Sequence, residues 1–296
     1  MTDPRGSTLT RPGPKPFTWE RTGSKFSTKY IYYVLVLFVI VQALAPVLWM
    51  LGNSHRTREE FYRDPWGLPT AFRWEHYGQA WREARVGEFA LNSVFIVSAA
   101  LLIMLVAASL TAYALSRFSF RGRGFVFGVI LATMMVPPDI LVVPLFIILR
   151  DLGLLGTRIA LSLVYASGGF AFSVLLLRAY FMSVPPELED AASVDGAGRL
   201  RIFFYVILPL SLSGFLTVTI VQLVTFYNDL YLAFVFLRRP DHYTVPVGML
   251  AFFERFGINW PIFFAGLIIT LAPIAIIFLV AQKWFVEGLR SGALKG

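Results

Sequence analysis

Six stretches of about 20 predominantly apolar residues recur along this chain, and nothing constrains its folding more. A helix needs about 20 residues, at 1.5 Å rise each, to cross a hydrocarbon core of about 30 Å. The stretches run Tyr30 to Leu51, Phe89 to Leu115, Phe125 to Leu149, Ile159 to Phe181, Leu208 to Leu237 and Pro261 to Trp284. In lipid every backbone N–H and C=O must be satisfied within the protein, so spans of this length dictate helices. The predicted fold class is an all-α polytopic membrane protein with six transmembrane helices. A composition of 57% hydrophobic and 15% charged residues excludes a soluble domain.

Basic residues set the orientation. With the N-terminus cytoplasmic, the inner side receives every lysine, together with Arg117, Arg121, Arg123, Arg199, Arg201 and Arg290. The outer arginines, such as Arg56, Arg58 and Arg63, are interleaved with acids, and the positive-inside rule counts basic residues alone. Both termini are therefore expected inside, and the net charge of +8 reflects membrane orientation rather than nucleic-acid binding. Residues 1–29 are polar and rich in Pro, Gly, Ser and Thr, which predicts a disordered cytoplasmic tail rather than a signal peptide. The transmembrane domain is expected over 30–284, and over 285–296 three glycines and few apolar residues predict a flexible, irregular cytoplasmic tail that leaves the bilayer. Trp260 and Trp284 bracket the sixth span at the depth where indole rings prefer the headgroups.

Catalytic chemistry finds no purchase. Cysteine is absent, and His55, His76 and His242 lack ligand spacing, so no metal site is expected. No Gly-x-x-x-x-Gly-Lys-[Ser/Thr] loop occurs, so the chain carries no recognisable means of hydrolysing ATP, and energy from ATP has to come from a partner. The chain is expected to be a non-enzyme holding no cofactor of its own.

The loop 182–207 gathers Glu187, Glu189, Asp190 and Asp195, which cannot sit in lipid. Pro185 and Pro186 suit a first helical turn, and the three leading acids complement a helix N-terminus. A short helix is predicted there, with Ala191, Ala192 and Ser193 as a small-residue surface open to another protein and Gly196 and Gly198 as stops. Leu200, Phe203, Phe204 and Ile207 then recur at helical spacing, as in a segment lying along the membrane surface.

Asp190-Ala191-Ala192-Ser193-Val194-Asp195-Gly196-Ala197, followed by Leu208-Pro209, resembles the EAA motif of binding-protein-dependent ABC importer permeases, with Asp190 in place of the usual glutamate. The ending Phe285-Val286-Glu287-Gly288-Leu289-Arg290-Ser291-Gly292-Ala293-Leu294-Lys295-Gly296 resembles that of the maltose-type carbohydrate permeases. Asn92-Ser93, Tyr227-Asn228-Asp229 and Thr244-Val245-Pro246-Val247-Gly248 extend the similarity from about residue 30 onward. The resemblance implies a type I ABC importer permease. Its Glu187, Asp190, Ala191, Ala192, Asp195, Gly196 and Ala197 would form a coupling helix docking on an ATP-binding subunit, and its Gly292, Lys295 and Gly296 would contact the ATPases. It further implies a second, non-identical permease, two ATP-binding subunits that hold ATP and magnesium, an external solute-binding protein, and a sugar as solute. A disaccharide or oligosaccharide is expected, with a glycerophosphate-like compound as the alternative.

Gln222, Thr225 and Asp229, preceded by Ser211, recur close to one face of the fifth span and, with Asn228, are the candidates for a solute path. An aspartate at the bilayer centre costs about 2.5 to 3.5 kcal/mol on insertion scales, so Asp229 is expected to line water or to sit near the outer interface. Pro137, Pro138 and Pro144 predict a kink in the third span, with Asp139 buried against a neighbouring helix. A secondary transporter or channel using Asp139 and Asp229 is the alternative class. Outside, 52–88 with Trp66, Trp74 and Trp81, and 238–260 with Arg238 and Arg239, are candidate surfaces for docking a solute-binding protein, and the resemblance carries that role onto 242–257.

Overall fold

The computed structural model describes residues 25–82, 85–256 and 259–293, and their regular structure is helical. Two compact units are present, Met1–Val47 and Leu48–Gly296. The first is represented by most of helix α1 (Lys25–Ser54), on which Tyr30 to Val41 are exposed and apolar. Residues 1–24 of the predicted tail lie outside the described residues.

The second unit continues through α2 (Arg58–Arg63), α3 (Glu75–Arg82), α4 (Val86–Arg117), α5 (Arg123–Thr133), α6 (Pro138–Asp151), α7 (Arg158–Ser183), α8 (Glu187–Val194) and α9 (Arg199–Ile202). A π-helical turn (Phe203–Ile207) leads into α10 (Leu208–Leu210), α11 (Leu212–Tyr227), α12 (Tyr231–Phe236), α13 (Val245–Phe256) and α14 (Trp260–Ala293). Its spine is the pair α4 and α7, packed along their lengths. Small residues permit the approach: Ala100, Ala108 and Ala112 on α4 and Ala166, Gly169 and Ser173 on α7 are all buried. Interhelical hydrogen bonds reinforce it, from Ser162 Oγ to Ile96 O at 3.1 Å and from Ser173 Oγ to Met104 Sδ at 3.2 Å. A Cβ on Gly169 would come within 2.7 Å of Met104 Sδ and 2.9 Å of Phe226 Cζ, so glycine there lets α4, α7 and α11 converge.

Lys29–Ser54, Val86–Arg117 and Arg158–Ser183 are long and apolar enough to cross a bilayer unbroken, matching the first, second and fourth predicted spans. The third and fifth are not single helices. α5 and α6 are bent by 97°, and α5 alone, with 11 residues, reaches only about 16 Å. Two adjacent prolines remove two backbone donors, and Pro137 also disfavours α geometry at Val136, so the helix stops outright instead of kinking. Asp139 is consequently exposed in the first turn of α6, not buried as predicted; the free N–H groups of that turn favour a carboxyl there.

In the fifth predicted span, the stretch Arg199–Leu210 meets α11 at 77°. Pro209 lacks the N–H that would continue the ladder, and Leu208 N–H bonds Phe203 O, five residues back, in the π turn. That turn also corrects the predicted apolar stripe: Ile202, Phe203 and Ile207 are buried, whereas Leu200 and Phe204 are exposed. α11 ends at Tyr227, beside Asn228-Asp229. The C-terminal segment differs as well, because α14 stays helical through Gly288 and Gly292 to Ala293 where an irregular tail was expected. Extending an existing helix needs no new nucleus, which outweighs a glycine cost of about 1 kcal/mol each. Lys295 and Gly296 lie outside the described residues.

Candidate functional site: a docking helix and a polar cavity

At its C-terminal end α4 meets the acidic loop. α8 spans Glu187–Val194, as the acids and prolines predicted, and closes in a Schellman motif. Ala197 N–H reaches Ala192 O and Gly196 N–H reaches Ser193 O, both at 3.0 Å, with Gly196 at φ 81°. Ala192 and Ala197 therefore turn inward against the core, while Glu187, Asp190, Ala191, Asp195 and Gly196 remain exposed.

Glu189, which the motif did not single out, is 5% exposed and forms an ion pair with Arg117 Nε. Arg117 Nη2 also donates to Phe181 O at 2.8 Å and Val184 O at 2.7 Å, and Tyr113 Oη donates to Arg199 O at 3.3 Å. One guanidinium thus joins the end of α4, the end of α7 and α8. Burial pushes the Glu189 carboxyl above the usual carboxylate range, and Arg117 opposes that rise. A signal was present in the sequence: Glu189 and Ala192, three residues apart, share one helix face, and an acid on an inward face requires a partner.

A cavity of about 470 Å³ opens between α7 and α11, and all four predicted solute-path residues line it: Gln222, Thr225, Asn228 and Asp229. Pro138, Tyr165, Gly168 and Phe172 complete much of its wall; Ser211 stands apart, buried at the elbow before α11. Asp229 Oδ2 accepts from Tyr165 Oη at 2.8 Å and from Ala233 N–H at 3.0 Å, so it ties α7 to the start of α12. Tyr165 is stacked on Phe226 with centroids 5.1 Å apart. Three side chains of the wall also donate into the protein: Gln222 Nε2 to Gly169 O, Thr225 Oγ1 to Val221 O and Asn228 Nδ2 to Val224 O. A second, more apolar cavity of about 640 Å³ lies between α11, α13 and α14, and Asn228 lines both.

At its other end α4 grips the segment before α13. Asn92 Nδ2 donates to Asp241 O at 2.9 Å and Tyr243 O at 3.1 Å, its Oδ1 accepts from Arg158, and Ser93 Oγ accepts from Val245 N–H at 2.9 Å. Two motifs some 150 residues apart in sequence are thereby one joint. Gly248 belongs to it, since a Cβ there would lie 2.1 Å from the Phe89 ring.

Residues 52–82 form a folded layer beside this joint. His55 is buried between Phe72, Trp74 and Tyr77, and Arg56 donates to Asn53 Oδ1 and to the backbone oxygens of Glu60 and Asp64. Trp66, Trp74 and Trp81 stay exposed, and Trp260 joins an aromatic cluster with Phe61, Phe253 and Phe264.

A spine of two apolar helices, an exposed acidic helix at one end and a polar cavity beside α11 suit a membrane permease subunit. The chain belongs to the family described as the binding-protein-dependent transport system inner membrane component, whose model matches residues 101–291. It is 34% identical to the probable ABC transporter permease protein YurM of Bacillus subtilis, over 90% of this chain and 88% of that protein. It is 32% identical to the diacetylchitobiose uptake system permease protein NgcG of Streptomyces coelicolor, again over 90% and 88%. Its fold is similar to that of a chain in a bacterial ABC transporter importing the acidic polysaccharide alginate, with a TM-score of 0.79 and 25% identity over 92% of this chain and 100% of that one. The chain is thus a non-catalytic permease of the ABC type, and ATP hydrolysis falls to partner subunits.

Proposed function

We propose that this chain forms one half of the translocation pathway of an ATP-driven importer for neutral disaccharides or oligosaccharides. A second, non-identical permease supplies the other half, two ATP-binding subunits dock on α8, and an external solute-binding protein delivers the sugar to the opposite end. The observation that carries this reading is the cavity shared by Gln222, Thr225, Asn228 and Asp229. Its amide NH2 groups carry two hydrogens each, and its amide and carboxyl oxygens accept, a mixture that suits sugar hydroxyls, which both donate and accept; the Asp229 carboxyl disfavours a phosphate, which carries acceptors alone. A relative described as a diacetylchitobiose uptake permease supports the same solute class, and the importer of similar fold that carries alginate, an acidic polysaccharide, supports a saccharide more broadly.

In the orientation we propose both termini and α8 are cytoplasmic, and residues 52–82 and 238–256 face outward, in the plasma membrane of a bacterium or archaeon. Exposed Glu187, Asp190, Ala191, Asp195 and Gly196 form the surface read by an ATPase, with Ala192 and Ala197 holding it in place, and Gly292, Lys295 and Gly296 reach the same subunits. The test is uptake by vesicles containing the complete importer. Labelled disaccharides are expected to accumulate with ATP, and glycerol 3-phosphate is not; the reverse pattern overturns the solute class, and uptake without ATPase subunits overturns the importer.

A further inference from the structure

Arg117 occupies a position that docking of a partner on α8 does not by itself require. Its side chain is 12% exposed, and that of Glu189 7%. Arg117 Nε and Glu189 Oε1 have no hydrogen-bond partner beyond this ion pair. The two N–H groups of Nη2 go to Phe181 O and Val184 O, the carbonyls at which α7 ends. α8 meets the spine in this charged contact, and Ala192 packs against the core. Lysine could not reproduce the arrangement, because an ammonium lacks the planar fork that serves a carboxylate and two carbonyls together.

We propose that Arg117 and Glu189 are positioning residues for transport, forming the link through which a push or pull on α8 moves α4 and α7 as one body. This rests on the reading that an ATPase docks on α8 and goes beyond it by naming the internal joint that carries the motion. Removing one partner leaves the other charge buried and loosens α8 from the spine without altering the exposed face that a partner would read.

The experiment uses the complete importer in vesicles and reads sugar moved per ATP hydrolysed. Glu189→Gln and Arg117→Lys are expected to keep the ATPase subunits bound and to hydrolyse ATP, while the transport ratio falls about fivefold or more, the scale of a coupling free energy of 1 kcal/mol or above. Because the chain has no cysteine, Arg117→Cys with Glu189→Cys can be bridged by a short bifunctional thiol reagent, and bridging is expected to restore much of the ratio. An unchanged ratio in Glu189→Gln overturns the proposal. So does a loss of assembly that bridging does not repair, which assigns the pair to folding. If the unaltered chain binds no ATPase subunit, the importer reading itself fails instead.

Discussion

Gly196 meets two demands at one residue, a left-handed backbone and an exposed position beside Asp195. Gly196→Ala is expected to cost about 1 to 2 kcal/mol through its φ alone, visible as a lower unfolding temperature of the purified chain. Ala191→Glu, on the exposed face, leaves that motif intact; it is expected to abolish most uptake while unfolding temperature and membrane insertion stay unchanged. In the cavity, Asp229→Ala strands the Tyr165 hydroxyl and the Ala233 N–H, at about 1 to 3 kcal/mol for each donor left without a partner. Sugar affinity in vesicle uptake should weaken accordingly. A cysteine at the exposed Thr225 should react with a water-soluble thiol reagent much faster than one at the buried Gln222, and no reaction at either position would show that the cavity is closed to water.

Among the elements, the helices readable in the sequence are those whose limits depend on local chemistry. α4 and α7 are long apolar runs, and α8 is announced by its prolines, acids and glycine. The break between α5 and α6 was legible as prolines but not as a 97° bend, because the angle depends on what each half packs against. The cavity residues were legible as a polar stripe along α11 and just past its end, whereas Tyr165 sits 64 residues from Asp229, and Arg117, at the end of α4, is far in sequence from Glu189 on α8, and no local period links such partners. The layer 52–82 has its own sensitivity. Burial holds the His55 imidazole below its ordinary pKa of 6.5, so the unfolded layer binds a proton that the folded one resists. The contribution of His55 to its stability is therefore fully present above about pH 6.5 and diminishes as the pH falls below that value. Amide exchange over residues 55–77, corrected for intrinsic rates, should accelerate at pH 5 relative to pH 7.5, and His55→Phe should flatten the difference.

For the whole second unit, α4 works as a strut clasped at both ends, by Asn92 and Ser93 at one and Arg117 at the other. Asn92→Ala leaves Asp241 O, Tyr243 O and Arg158 short of partners, and is expected to destabilise the segment before α13 by about 1 to 3 kcal/mol, seen as faster proteolysis within 238–245. Deleting Gly288 to Gly296 is expected to reduce co-purification of ATPase subunits without affecting insertion, and full solute-stimulated hydrolysis by the truncated chain would count against a role for that end. The elbow at Ser211 has a mechanical meaning. The arm Arg199–Leu210 is about 18 Å long, so a pivot of only 10° about the elbow displaces its far end, next to α8, by about 3 Å. Lever arithmetic of this kind turns ångström-scale travel at the membrane surface into a small change of tilt in α11, the helix that carries the cavity wall.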